Sequence, residues 1–313
     1  MSNIDTFKDK IKNLADATRR FSGSMEELSI SEIADLLKKP TLYNLAITTY
    51  NGENIIKSIS NIDLSIFDTQ NITDMSYMFR GCSSLTSITF PENFGSNVTS
   101  MYSMFFGCSS LTSITFPENF GSNVTSMSSM FYNCKSLTTL NLSNFDTQSV
   151  ADMGDIFRDC SSLTSITFPE NFGSNVTSMY GMFYGCSSLP SIDLSNFNTQ
   201  SVTSIGDMFH GCSSLTTLDL TPLNTQSVTY MNYMFSSCSA LTTLTLGENW
   251  ASNSSITSFD LSYCPLTHDS CLDVFNKLAT KTSSSTLKLK STTKALMSDA
   301  EIKIATDKGW TVS

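Results

Sequence analysis

The sequence predicts an α/β solenoid of stacked 26-residue units, and three repeating features indicate it. In seven successive units a phenylalanine lies three residues before a cysteine and a leucine lies three residues after it. A stretch of twenty residues, CSSLTSITFPENFGSNVTSM, occurs unchanged at 82–101, 108–127 and 160–179. The repeat cysteines, each 26 residues from the next, are Cys82, Cys108, Cys134, Cys160, Cys186, Cys212, Cys238 and Cys264. A constant period of this length is typical of solenoids, whose units bury their apolar faces only by stacking.

The N-terminal region is predicted to contain helices over residues 1–40 and a cap or linker over 41–66. The apolar residues of the first helix follow three-to-four spacing and share one face; they are Ile4, Phe7, Ile11, Leu14 and Phe21. Ser29 and Glu32 fit a capping box for a second helix that ends at Pro40. Asn51 and Gly52 predict the turn of a hairpin within the linker.

Each unit of the solenoid, over residues 67–264, is predicted to supply one strand and one short helix. The helix is predicted from apolar residues at positions i, i+3, i+4 and i+7, namely Met101, Met104, Phe105 and Cys108. The strand is predicted from the alternation of Ile114 and Phe116, which gives it one buried face. A stack of such units builds a continuous spine of phenylalanine and leucine.

Residues 265–313 are predicted to close the solenoid as an α/β cap. Thr267, His268 and Asp269 fit the start of a helix, a strand is expected over 286–290, and a second helical stretch is expected over 293–307. A terminal cap is what an open-ended solenoid requires.

Composition and charge exclude several functional classes. The formal net charge is −10 and the pI about 4.6, which argues against nucleic acid and anionic membrane surfaces as partners. We expect no membrane insertion, because no stretch of about 18 apolar residues occurs. The N-terminus has no basic segment followed by an apolar run, so we expect a cytosolic protein, export by lysis or another route, or a trimmed sequence.

The cysteines are expected to be reduced thiols in a buried stack. A disulfide between neighbouring units is the alternative, because strands about 5 Å apart bring the cysteines within bonding range. We predict no metal and no cofactor, since the C-x2-C pairs of zinc sites and glycine-rich phosphate loops do not occur. Catalysis is not expected either: His268 and Cys271 lie three residues apart, but no orienting third group accompanies them.

The repeat itself resembles a known family. The pattern Met-x-x-Met-Phe-x-x-Cys-x-x-Leu-x-x-Ile-x-Phe-Pro, with Pro91, Pro117 and Pro169 at the strand end, is similar to the BspA-like leucine-rich repeats of bacterial surface proteins, in their Met-rich 26-residue form. This resemblance implies a right-handed, curved leucine-rich-repeat solenoid with roles in adhesion and host or surface recognition. Residues 14–34 also resemble an N-terminal element of phage and prophage tail-associated proteins, and residues 261–267 and 305–310 resemble a capping tail of such repeat proteins. These resemblances imply action at a cell or virion surface.

Two outward-facing surfaces are candidates for ligand binding. The first carries variable residues two and six positions before each cysteine; the candidate site residues are Tyr102, Phe106, Tyr132, Tyr180, Tyr184 and His210. Such aromatic side chains can stack on sugars or on a protein partner, or else pack against neighbouring loops. The second is a sheet of hydroxyls at positions such as Thr86, Ser87 and Thr89, which is either a ligand surface or a solvated β-surface.

The sequence therefore predicts a non-enzymatic binding or adhesion module that recognises a surface glycan or protein. The alternatives are a structural spacer whose partners bind the caps and, least favoured, a cysteine-dependent enzyme in the C-terminal cap.

Overall fold

The computed structural model describes residues 60–64, 72–92 and 94–313. The predicted helices over 1–40 and the hairpin at Asn51 and Gly52 lie outside the described residues. Within the described ranges, no helix is long and apolar enough to cross a bilayer.

Short parallel strands recur at one place in the repeat, as predicted. They are β1 (Asn61–Asp63), β2 (Ser87–Thr89), β3 (Thr139–Asn141), β4 (Ser165–Thr167), β5 (Thr217–Asp219) and β6 (Thr243–Thr245). The next strand, β7 (Ser258–Leu261), lies outside this 26-residue register and belongs to the sheet of the C-terminal cap. β1 pairs with β2, β3 with β4 and β5 with β6, and paired residues such as Ile62 and Ile88 lie one repeat apart. Where no strand pair forms, the units stay linked by isolated hydrogen bonds and bridges, such as the bond from the Thr138 N–H to the Thr112 carbonyl at 3.2 Å and the bridge between Ser100 and Ser126. The chain is therefore a parallel β-solenoid, and its hand stays a prediction.

The short helix predicted in each unit is wrong for the described repeats. Residues 101–107 form consecutive tight turns, and left-handed backbone at Ser103 (φ 54°) and Gly107 (φ 75°) interrupts any helical path. Within this segment the Met104 N–H bonds only three residues back, to Met101 at 3.2 Å. A helix would need bonds four residues back along its whole length.

The physical reason for this error is that the next unit offers competing acceptors. The N–H of Phe105 donates to the carbonyl of Met130 at 2.8 Å, and that of Gly107 donates to Tyr132 at 2.7 Å. Backbone donors at alternate positions thus bond between units, and the remainder bond locally. The predicted apolar spacing is nevertheless confirmed as a burial pattern, because tight turns at this spacing also direct those side chains inward.

The predicted phenylalanine spine is confirmed. The rings three residues before each cysteine stack with centroid separations between 5.3 and 6.1 Å and interplanar angles of 4 to 15°; they belong to Phe79, Phe105, Phe131, Phe157, Phe183, Phe209 and Phe235. The stacking ends at Phe259, which meets Phe235 at 71°. The regular units therefore end where the C-terminal cap begins.

The repeat cysteines are free and buried, as the expected stack of thiols requires. Each described thiol from the second unit onward donates to the phenylalanine carbonyl of the unit before it, for example Cys134 Sγ to Phe105 O at 3.1 Å. The longest of these hydrogen bonds is the last along the chain, from Cys264 Sγ to Phe235 O at 3.9 Å. A small side chain with a weak donor thus fits a position where the backbone carbonyl of the neighbouring unit is buried.

The C-terminal cap is built from three helices and three strands. The helices are α1 (His268–Lys277), α2 (Ser291–Lys294) and α3 (Asp299–Asp307), and β7 forms a parallel sheet with β8 (Ser285–Leu289) and β9 (Trp310–Val312). The predicted helix start is confirmed, since the Thr267 hydroxyl accepts from the Ser270 N–H. The predicted helix over 293–307 is instead two helices, because Ser298 caps a new one with a capping box to Glu301.

Candidate binding face

Aromatic and guanidinium side chains concentrate on one face of the solenoid. We call this the turn face and define it as the eight residues before each repeat cysteine from Cys82 to Cys238. It carries both described arginines, Arg80 and Arg158, and seven of the eight described tyrosines. Those tyrosines are Tyr77, Tyr102, Tyr132, Tyr180, Tyr184, Tyr230 and Tyr233. The strand row instead exposes serine, threonine, asparagine and aspartate, so the two faces differ in chemistry.

The predicted outward residues two positions before each cysteine form a continuous row of cation–π, edge-to-face and stacked ring contacts. Its members, in order along the solenoid, are Arg80, Phe106, Tyr132, Arg158, Tyr184 and His210. The Arg80 guanidinium lies 4.8 Å from the Phe106 ring, which lies 4.6 Å from Tyr132. The Arg158 guanidinium carbon lies 5.6 Å from the Tyr132 ring centroid and 3.9 Å from that of Tyr184. The Tyr184 ring stacks on the His210 ring with their centroids 4.3 Å apart.

This stacking limits what these rings can offer a ligand. Neighbouring units cover faces of Phe106, Tyr132 and Tyr184, and all three rings are only partly exposed. A sugar that stacks on a ring needs an open ring face, whereas a protein partner can contact ring edges. The ligand-binding role of these residues stays a prediction.

Carboxylates five positions before the cysteine orient the cations of this stack. Asp155 Oδ1 lies 3.1 Å from Arg158 Nη1, and Asp207 Oδ1 lies 3.0 Å from His210 Nδ1. Burial raises the pKa of Asp155, and the bond to Arg158 opposes that rise. Between these two carboxylates the equivalent residue is Gly181, where a Cβ would collide with Asp155 Oδ1. Glycine is therefore required there for the Asp155–Arg158 pair to form.

The residues six positions before the cysteine contact tyrosines of other units. The Tyr102 ring meets the Tyr77 ring edge to face, with their centroids 5.2 Å apart. The centroids of the Tyr180 and Tyr230 rings are 6.3 Å apart. A hydrogen bond to Asp207 is the main cause that raises the pKa of Tyr180 to about 12. Tyr102 and Tyr180 thus belong to tyrosine pairs that sequence reasoning had not foreseen.

Sequence reasoning missed Tyr77, Tyr230 and Tyr233, which are among the most exposed tyrosines at 39%, 38% and 60%. They lie five or eight positions before their cysteines, so a search along one column of the repeat does not find them. The signal that would have found them is the tyrosine content of the whole eight-residue segment.

The predicted hydroxyl surface is partly used by the solenoid itself. Thr86 Oγ1 donates to the Ser60 carbonyl at 2.9 Å, and Thr164 Oγ1 repeats this bond to Thr138 at 2.9 Å. Ser87 Oγ donates to the side chain of Asn61 at 2.6 Å. These hydroxyls hold neighbouring units together, while side chains such as Thr89 remain exposed.

Two surface cavities among the described residues are open and polar. One, about 380 Å³, is a notch between neighbouring loops lined by Glu118, Asn144, Asp146 and Glu170 among others. Neither it nor the second, about 210 Å³, has the apolar walls typical of small-molecule sites.

Cys271 and His268, both in α1, have separate environments. Burial raises the pKa of the Cys271 thiol to about 12. The two imidazole nitrogens of His268 are bonded to Asp269 at 3.0 Å and Glu301 at 2.9 Å. In the part of the chain that the structure describes, no cluster of three His, Cys, Asp or Glu side chains fits a metal ion.

Comparison with known proteins gives a family match that spans the repeats. The family model described as "Mycoplasma protein of unknown function, DUF285" matches residues 10–116, 51–170 and 170–263. A comparison with curated proteins finds no match.

Solved structures similar to this chain include two leucine-rich repeat proteins. The T. pallidum leucine-rich repeat protein is 17% identical, with 83% of this chain and 88% of that chain covered and a TM-score of 0.28. A leucine-rich repeat protein from Bacteroides ovatus is 14% identical, with 81% and 92% covered and a TM-score of 0.27.

Proposed function

We propose that this chain, which belongs to the family described as Mycoplasma protein of unknown function, DUF285, is a non-enzymatic binding module. The module recognises a protein or a glycan at a bacterial or virion surface, and the turn face is the surface that binds. The proposed place of action rests on the resemblance of the repeats to those of surface proteins.

The observation that carries this proposal is the concentration of tyrosine and arginine on the turn face. Seven of the eight described tyrosines and both described arginines lie there. Tyrosine and arginine are enriched among the residues that dominate binding energy at protein interfaces, because they bury large areas and can also hydrogen-bond. A solenoid presents such residues as an extended surface rather than an enclosed cavity.

The stacked arrangement favours a protein over a glycan as the partner. Ring faces in the row from Arg80 to His210 are covered by neighbouring units, which leaves edges and polar atoms for contact. The exception is Tyr233, the most exposed ring of the turn face at 60%, which offers surface on which a sugar can stack.

The experiment is a screen of the intact protein against glycans and cell-surface protein fractions, followed by two matched variants. The turn-face variant replaces Tyr102, Tyr230 and Tyr233 with serine, and the strand-face control replaces Thr89, Thr115 and Thr167 with alanine. We expect the turn-face variant to lose binding by at least about tenfold, since each hot-spot side chain contributes about 1–2 kcal/mol. Equal binding by both variants, or loss in the strand-face control alone, contradicts the proposal.

A structural spacer is the second candidate function, and the unchanged copies at 82–101 and 108–127 favour it. Duplicated units can vary in number without loss of a unique residue. Deletion of residues 108–133 would remove one whole unit and shorten the solenoid by about 4.8 Å, the strand spacing. A spacer whose partners bind the caps keeps full affinity after this deletion and also in the turn-face variant.

A further inference from the structure

We propose that Tyr233 is the docking point for an arginine side chain of a partner protein. This inference rests on the proposed binding function and names the chemistry that the turn face recognises. It is carried by a comparison between two equivalent units of the same chain.

Tyr233 and Tyr77 occupy the same place in their units. Each lies five residues before its repeat cysteine, and both have left-handed backbone, with φ of 61° and 64°. In both turns the residue three positions later donates its N–H to the tyrosine carbonyl, from Ser236 at 3.1 Å and from Arg80 at 3.0 Å. The two tyrosines therefore leave the backbone in the same local geometry.

The two units differ in the side chain three residues after the tyrosine, which is Arg80 in one and Ser236 in the other. The Arg80 guanidinium lies over the Tyr77 ring, 5.1 Å from its centroid. Ser236 stands at the position of Arg80 in the later unit and is too short to reach the ring. Tyr233 is 60% exposed, against 39% for Tyr77, which contacts both Arg80 and the edge of Tyr102. The ring thus presents to solvent a surface that its counterpart uses to hold a guanidinium.

The rings of this face bind a guanidinium at a second place as well. Arg158 lies between Tyr132 and Tyr184, with a carboxylate oxygen of Asp155 3.1 Å from Nη1. Planar guanidinium groups stack on aromatic rings better than ammonium groups do, so the recurring partner of these tyrosines is arginine rather than lysine.

Charge complementarity also favours a cationic partner. The turn face carries five aspartates and two arginines, and the whole chain has a net charge of −10. These aspartates are Asp74, Asp152, Asp155, Asp159 and Asp207. The carboxylate of Asp207, in the unit before Tyr233, is buried against His210, so this complementarity belongs to the face as a whole rather than to one carboxylate beside the ring.

The test is titration of the full chain with three fluorescent peptides of equal length, in which glycine alternates with arginine, lysine or citrulline. Citrulline keeps the shape of arginine and removes its charge. We expect the arginine peptide to bind most tightly and the citrulline peptide not to bind. Tyr233→Ala is expected to weaken arginine-peptide binding about 3- to 30-fold, the range of a cation–π contact, and Tyr233→Phe is expected to retain it.

Two further variants separate the site from general acidity. Ser236→Arg should supply an internal guanidinium to Tyr233, as Arg80 does for Tyr77, and so reduce arginine-peptide binding as Tyr233→Ala does. Ser236→Gln adds length without charge and should leave binding unchanged. Tyr263→Ala, at a tyrosine that is 52% exposed outside the turn face, serves as the control for loss of an exposed ring. Circular dichroism melting checks that each variant is folded.

The inference is overturned if Tyr233→Ala binds the arginine peptide as tightly as the parent chain does. It is also overturned if each variant weakens binding of the arginine and lysine peptides by the same factor, because the ring would then have no preference for arginine. Binding of a neutral oligosaccharide that Tyr233→Ala abolishes would also overturn it, by making the ring a glycan site. That last result would leave the proposed binding function standing. Failure of the turn-face variant to affect any ligand from the surface screen would instead remove the proposed function itself.

Discussion

At the scale of single residues, the repeat cysteine is defined by packing and by one weak hydrogen bond. Its thiol is buried and donates to a carbonyl of the preceding unit, as Cys186 does to Phe157 at 3.2 Å. Burial is the main cause that raises the pKa of Cys134 and of Cys238 to about 12. The thiolate, which is the reactive form, is therefore strongly disfavoured near neutral pH.

We accordingly predict that the nine cysteines react with a thiol reagent only after unfolding. Release of thionitrobenzoate at pH 8 should be slow for the native protein and complete in guanidinium chloride. Rapid modification of several thiols without loss of native circular dichroism would contradict the buried stack.

A second prediction concerns the glycines of the turn face. Gly181→Ala should destabilise the protein by about 2–3 kcal/mol, because left-handed backbone costs about 1–2 kcal/mol and the Cβ also collides with Asp155 Oδ1. Gly107→Ala is the matched control: its backbone is also left-handed, but a Cβ there would be no closer than 3.7 Å to other atoms. Urea melts should show the larger loss for Gly181→Ala, and equal losses would refute the role assigned to this glycine.

At the scale of elements, the phenylalanine stack binds each unit to its neighbours. The Phe131 ring lies 5.6 Å from Phe105 and 5.9 Å from Phe157, and it is fully buried. We predict that Phe131→Ala lowers the free energy of unfolding by about 3–5 kcal/mol, because it removes a buried ring and leaves a cavity. A change below about 1 kcal/mol in a urea melt would show that the stack is not the main support of the units.

The cap contains a pH-dependent link between α1 and α3. The imidazole of His268 is bonded to Asp269 and to Glu301, and these carboxylates raise the pKa of His268. A raised folded-state pKa stabilises the protein below about pH 6.5, the unfolded value, and this stabilisation is lost as the pH rises through the folded-state pKa.

The predicted consequence is a pH-dependent difference in melting temperature. His268→Gln should melt below the parent chain at pH 6 and show a smaller difference at pH 8.5. The same difference at both pH values would mean that protonated His268 does not contribute to the link. The residue is partly exposed, so high salt should also reduce the effect.

The fold of the elements was predictable where burial decides it and not where hydrogen bonding does. The 26-residue period, the strand position and the inward Phe105 and Cys108 follow from apolar spacing alone. The helix prediction failed because the same spacing satisfies both a helix and a series of tight turns. Only the carbonyls of the next unit, such as Met130 O accepting from Phe105, decide between the two, and a pattern read within one unit does not contain them.

At the scale of the whole molecule, the central feature is the chemical difference between the turn face and the strand face. The sequence indicated an outward aromatic row, and the structure places Tyr102 and Tyr180 in contact with tyrosines from other units. The stack of Arg158 on Tyr184 could not be foreseen, because it depends on side chains one unit apart leaning toward each other. The site is thus a property of stacking rather than of any single unit.

Hydroxyl-radical footprinting with the ligand that the surface screen identifies shows whether the turn face is the surface that binds. Oxidation of Tyr102, Tyr230 and Tyr233 is followed by mass spectrometry with and without ligand, and Tyr263 and Leu296, 52% and 53% exposed, serve as controls outside the turn face. We predict that the ligand protects the three turn-face tyrosines and leaves the controls unprotected. Protection of Tyr263 and Leu296 alone, with the turn-face tyrosines oxidised as in the free protein, would contradict it.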